Sequence, residues 1–341
     1  MRHYRAALAA LLLAGLMGGG AQAQALPLLD YREAPGALAY PTNWTPGEAS
    51  GVAVNSKGHV FLFKRTKPML SEFDAKGRFV RSFDDGLWDH PHGLRIDADD
   101  NLWTTDDQNH TVLKLSPRGE VLLVLGRRYQ GGEADWLLGR PADVAWDKAG
   151  NIYVADGYGN SRIVKFDPKG NFLKAWGEWG DAPGQFKLPH SVVVDDLGRV
   201  IVADRENARI QVFDDQGKFL TQWTGLGYPY GLVLGPDRTL WMVDGGYDRL
   251  LKLSLDGKPL GTFGRPGHGD GEFAWSHFMA LGRDQKIYVA DVLNWRFHVL
   301  APTAPQGLMS DYVPTRRRYF GSRPSKGWFT QSADAPGGGP R

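Results

Sequence analysis

The chain has 341 residues, no cysteine, 42% hydrophobic and 23% charged positions. That length can bury a sizeable core, the apolar share is too high for a disordered protein, and the lack of cysteine excludes a disulfide scaffold, a thiolate metal site and a cysteine nucleophile. The net charge of +2 belongs to the ends: Arg2 and Arg5 open the chain, and six Lys or Arg face only Asp311 and Asp334 after Leu300, so the body is net −4 and no nucleic-acid partner is expected.

In chain order, residues 1–25 read as a secretory signal peptide. Arg2 and Arg5 form its basic start, an apolar run covers Ala6 to Met17, and Ala21-Gln22-Ala23 is a small-residue cleavage motif. The run falls short of the roughly 18 apolar residues of a membrane span. The mature protein is expected to start near Gln24, to be exported to the periplasm or beyond, to have no stable membrane insertion and to be a monomer. Residues 301–341 are rich in Pro, Gly, Ser and Arg, with Arg316-Arg317-Arg318 among them, and read as a solvated, disordered basic tail.

Residues 26–300 hold a repeat. Units starting at Ser50, His92, Ala142, His190, Tyr230 and His277 share one frame. An apolar strand is followed by a polar turn, a β-rich strand often ending in V-A-D, a polar loop and a third strand. A D-x-x-G-type turn and a fourth strand complete the unit. Six units of roughly 40–50 residues with four short strands each predict an all-β, six-bladed β-propeller. The sixth unit lacks a clear fourth strand, and the segment around Leu28 to Tyr31 is expected to supply it and close the ring. Asp106, Asp156, Asp204, Asp244 and Asp291 end the second strands; their recurrence predicts a structural role in capping loop N–H groups.

In a propeller the first strand of each blade lines the central channel. The residue entering that strand is Ser50, His92, Ala142, His190, Tyr230 and His277 in turn. Histidine stands only in the second, fourth and sixth units, and alternate blades of a six-fold ring lie about 120° apart. His92, His190 and His277 should therefore converge at one rim as an open three-histidine site suited to catalytic zinc. Iron, copper and nickel accept the same ligands. His59, His90, His110, His268 and His298 do not share the register and read as surface or packing residues. The loops between strands two and three return to the same rim. They carry Tyr158, Arg65 and Arg205, a phenol that could act as a base and two guanidinium groups that could hold a carboxylate.

The blocks D-G-Y-G-N-S-R-I from Asp156, W-G-E from Trp176, P-G-Q-F from Pro183, P-H-S from Pro189, A-D-R-E-N-A-R-I-Q-V-F from Ala203 and P-H-G-L from Pro91 resemble the peptidylglycine α-amidating lyase family, within the NHL-repeat propellers. The similarity is strongest from His92 to Phe213. The resemblance implies zinc held by His92, His190 and His277, Tyr158 as base, and Arg65 and Arg205 as catalytic or substrate-orienting groups. It implies cleavage of a peptide with a C-terminal α-hydroxyglycine to a peptide amide and glyoxylate. It also implies a structural calcium with backbone ligands at Val52 and Leu94. The aspartate that would complete the calcium site is replaced by Phe278, so calcium is expected to be weak or absent. Trp275 stands where the family has a methionine facing the active site. The rival expectations are a non-catalytic NHL-type propeller binding a peptide, protein or glycan, and a lactonase-like propeller hydrolase; the carboxylate and Asn set of the latter is missing from the rim positions.

Overall fold

A computed structural model describes residues 26–303 except residue 84. Its strands form six antiparallel four-stranded sheets in a closed ring, the six-bladed β-propeller expected from the repeat. The innermost strands are Ala49–Val54, Pro91–Ile96, Asp143–Trp146, Pro189–Val194, Pro229–Leu234 and Ser276–Leu281, in blades one to six. Each lies against the innermost strands of both neighbours, and the sixth lies against the first.

The hydrophobic pattern explains this arrangement. Second and third strands such as Val200–Asp204 and Arg209–Phe213 are buried along their whole length, whereas fourth strands such as Phe79–Ser82 are largely exposed. Buried apolar side chains form six clusters, one in each gap between adjacent blades. The gap between blades three and four holds Tyr153, Ile163, Phe186, Val202 and Phe213. No blade buries both faces alone, so the core exists only when the ring is closed.

The recurrent aspartates are buried and structural. Asp156, Asp204, Asp244 and Asp291 accept backbone N–H groups of Gly139, Lys187, Tyr228 and Ala274, each in the loop entering their own blade. Asp106 does the same for Asp89 and His90 and also holds the following loop through Gln108 and Asn109. In blades three to five, Arg162, Arg209 and Arg249 open the third strand and pair with that carboxylate.

Closure comes from the N-terminal segment. Tyr31–Glu33 pairs with the third strand of blade six, Arg296–Pro302, as its fourth strand. The strand begins later than the expected Leu28, because Leu28 and Leu29 pair with Thr262 on the outer strand of blade five before the chain crosses to blade six. Ala301 and Pro302 are the register partners of Arg32 and Tyr31, so the strand enters the stretch read as tail. The leader, residues 1–25, and residues 304–341, with Arg316–Arg318, lie outside the described residues.

Candidate metal centre

His92, His190 and His277 are each the second residue of an innermost strand. Each is skipped by the ladder: the register jumps from Pro91 to Leu94, from Pro189 to Ser191 and from Ser276 to Phe278. Such a bulge re-aims the side chain, here into the channel. The three imidazoles are buried, with ring centroids 4.6–5.0 Å apart and one nitrogen of each within 4.8 Å of the other two.

The surrounding backbone sets the tautomers. Nδ1 of His92 lies 2.7 Å from the Ala142 carbonyl, Nδ1 of His190 2.7 Å from that of Tyr230, and Nδ1 of His277 2.7 Å from that of Ser50. A carbonyl only accepts, so each Nδ1 carries the hydrogen and each Nε2 presents a lone pair. Each acceptor is the register-equivalent residue of the next blade, so one repeated contact orients all three rings. Burial, with the positive charge of Arg65 or Arg205 and, for His92 and His190, of neighbouring histidines, drives all three far below the usual histidine range and keeps them neutral. Thr105 supports the first contact: its hydroxyl donates to the Ala142 carbonyl at 2.9 Å and accepts from Gly93 N–H at 2.7 Å. A Cβ at position 93 would stand 2.7 Å from that carbonyl, so the close approach requires glycine.

Tyr158 sits at the mouth of this cage. Its hydroxyl oxygen is 3.0 Å from Nε2 of both His92 and His190, and Arg205 Nη1 donates to it at 3.1 Å. Backbone bonds from Tyr158 N–H to Arg140 and from Gly159 N–H to Gly139 pin its loop. One hydroxyl hydrogen thus faces two lone pairs, and Nε2 of His277 has no partner among the described residues. An excess of convergent neutral imidazole acceptors in a buried site fits a divalent metal of the zinc type.

The arginines flank the cage. Arg205 lies over the rings of Tyr158 and Tyr230, 5.4 and 4.7 Å from their centroids. Arg65 donates to the Pro91 carbonyl and faces Glu48, both at 3.4 Å, and its charge is felt by all three histidines.

Several rim residues had no assigned role in the sequence. Tyr230 shares the histidine register and orients His190 through its carbonyl. Arg140 lies 5.5 Å from the Tyr158 ring and pairs with buried Asp107, which also accepts from His90 Nδ1. Burial alone would raise the Asp107 carboxyl, but His90 and Arg140 hold it below the ordinary range. Trp275, which the sequence resemblance placed facing the site, is 6.5 Å from the His277 ring and has a left-handed backbone, φ 67°, held by Asp248, which accepts its N–H. Thr105 had a visible signal, because it stands where blades three and four have the alanine of V-A-D.

The side chains of Val52 and Leu94, the expected backbone ligands of a calcium, pack in two different inter-blade cores. Phe278 offers no oxygen; its ring packs 4.8 Å from that of His277 and stacks on His190 at 5.6 Å.

Fold and site together define a six-bladed propeller with a buried three-histidine centre at the rim of its channel. The NHL repeat family matches residues 138–166 and 186–213, within blades three and four. Human NHL repeat-containing protein 3 is 33% identical over 254 residues, 69% of this chain and 72% of the relative. Mouse peptidyl-glycine alpha-amidating monooxygenase is 40% identical over 199 residues, 49% of this chain and 20% of the relative. A probable peptidyl-alpha-hydroxyglycine alpha-amidating lyase of Caenorhabditis elegans is 35% identical over 192 residues, 48% of this chain and 55% of the relative. The aligned part thus spans about a fifth of that monooxygenase and about half of that lyase. A solved streptogramin B lyase superposes with a TM-score of 0.59 at 15% identity, covering 76% of this chain and 95% of the other, a likeness of fold alone. The chain belongs to the NHL-repeat propeller family and is similar over about half its length to the amidating lyases.

Proposed function

We propose that the protein is an exported, zinc-dependent lyase that cleaves the carbinolamide C–N bond of a peptide ending in α-hydroxyglycine, releasing the peptide amide and glyoxylate. The observation that carries this reading is the cage of three oriented, neutral Nε2 atoms with a phenol hydroxyl and a guanidinium at its mouth. The lyase named among the relatives supports the reaction class, and the signal-peptide pattern of residues 1–25 supports export.

His92, His190 and His277 would hold the metal, which when bound supplies a Lewis acid to polarise the substrate hydroxyl. Tyr158, as the phenolate after its own proton has left, would take the proton of that hydroxyl on Oη, with Arg205 donating to the same oxygen. As the carbinol C–O becomes the aldehyde C=O, the C–N bond breaks with its electron pair on nitrogen. That nitrogen regains a proton, giving the amide. Arg65 and Arg205 are the groups available to hold the terminal carboxylate. Trp275 and Tyr230 flank His277, their ring centroids 6.5 and 6.1 Å from its own.

The test is incubation of the mature, zinc-loaded protein with a peptidyl-α-hydroxyglycine, following glyoxylate and amide together. Equimolar release above the buffer rate is expected. Zinc-loaded protein that releases neither product overturns the lyase reading and leaves a binding propeller.

A further inference from the structure

One residue beyond the histidine register, the six innermost strands carry Gly51, Gly93, Asp143, Ser191, Gly231 and Phe278. Three positions have no side chain. Arg95, two residues further along blade two, reaches across to the neighbouring blades. Its Nε donates to Asp143 Oδ1 at 2.9 Å. Its Nη2 donates to Asp143 Oδ2 at 2.5 Å, to the Leu232 carbonyl at 2.9 Å and to Ser191 Oγ at 3.1 Å. The Phe278 ring centroid lies 5.6 Å from the guanidinium carbon. One side chain from blade two thus reaches blades three, four, five and six.

Its partner is as fully engaged. Asp143 has no exposed surface, and its two oxygens also accept the N–H groups of Val144 and Val192 and the hydroxyl of Ser191 at 2.6 Å. Ser191 Oγ in turn accepts Leu232 N–H at 3.0 Å. The network therefore serves backbone groups of three blades, which an apolar plug would leave unpaired.

We propose that the Arg95 guanidinium is the built-in structural cation of this channel: with Asp143 it fastens five blades at the axis and makes the ring independent of calcium. A divalent cation gathers oxygens from several chain segments by coordination. A planar guanidinium gathers them by directed donors, and an aromatic face at 278 suits it where a carboxylate would suit calcium. A second cation next to Arg95 would meet like charge, and the Asp143 oxygens are already committed. This inference stands apart from the lyase reading, since neither Arg95 nor Asp143 is assigned to the chemistry.

The experiment follows the thermal unfolding midpoint of the protein dialysed against EGTA, with and without 1 mM Ca²⁺ (about a thousandfold over a micromolar site), beside Arg95→Met, Asp143→Asn and the double variant. Wild type should have the same midpoint with and without calcium. Both single variants should unfold several degrees lower, and the double variant should lie well above the sum of the two losses, as for groups that act on each other. If Arg95→Met does not fold, Arg95→Lys keeps the charge but loses the fork to Ser191 and Leu232, and should show the same loss. A wild-type midpoint that rises with calcium overturns the proposal, as do single variants as stable as wild type or strictly additive losses.

Discussion

Which ring nitrogen carries the hydrogen governs the histidine cage. The carbonyls of Ala142, Tyr230 and Ser50 fix Nδ1–H on all three rings and leave Nε2 for a ligand. Thr105→Val keeps the shape but removes a donor to the Ala142 carbonyl and strands the Gly93 N–H. The variant should fold, lose about 1–3 kcal/mol of stability and bind metal roughly 10–100-fold more weakly; calorimetry and metal titration check both. Tyr158→Phe should keep zinc and lose about 10²–10⁴ in turnover, whereas His190→Ala should lose metal and activity together. Full glyoxylate release by zinc-bound Tyr158→Phe would make Tyr158 only a wall of the pocket. At this scale the histidines were legible because the repeat supplies a register and they alternate within it. Arg95 was not, because register tells which residues enter a channel layer but not how far a long side chain reaches across it. Asp107 and Arg140 meet between blades two and three, a contact with no sequence periodicity.

Among the strands, the closing one matters most, since it comes from the far end of the chain. His298, on the third strand of blade six, is fully buried, with Nδ1 3.0 Å from Glu33 of the closing strand and Nε2 3.1 Å from Asp291. Burial alone would lower this histidine, but the two carboxylates outweigh it and raise it above the ordinary value. A raised value sets the sign: the clasp's contribution is fully present below about pH 6.5, the unfolded value, and is lost as pH rises through the folded value. His298→Gln should therefore cost more stability at pH 6 than at pH 9, by about 1–3 kcal/mol for charge-assisted bonds. Unfolding curves of the two proteins at both pH values measure this, and a pH-independent gap would show the ring neutral. The sequence placed the closing segment around Leu28 to Tyr31, and the last of these residues opens the closing strand. It could not show that Leu28 and Leu29 pair with blade five, which depends on where the neighbouring outer strand ends.

For the molecule as a whole, closure of the ring turns six ordinary strand entries into one site. Histidines at 92, 190 and 277 are remote in sequence, and only the alternation of blades around a shared axis brings their nitrogens within 4.8 Å. The six inter-blade cores and the Arg95 network hold that axis, so the convergence of the three histidines depends on ring integrity. The repeat made the architecture legible, because each unit carries the same turns and strand pattern. The tying of the axis lay outside it, because it is made by residues that differ from blade to blade. The most direct measurement is titration of the chelator-stripped protein with Co²⁺, read by its visible absorption and by metal analysis after gel filtration. One equivalent per chain should bind, be displaced by zinc and be lost in each of His92→Ala, His190→Ala and His277→Ala. Absence of stoichiometric binding by the folded wild type, or full binding by the three alanine variants, would contradict a shared three-histidine centre.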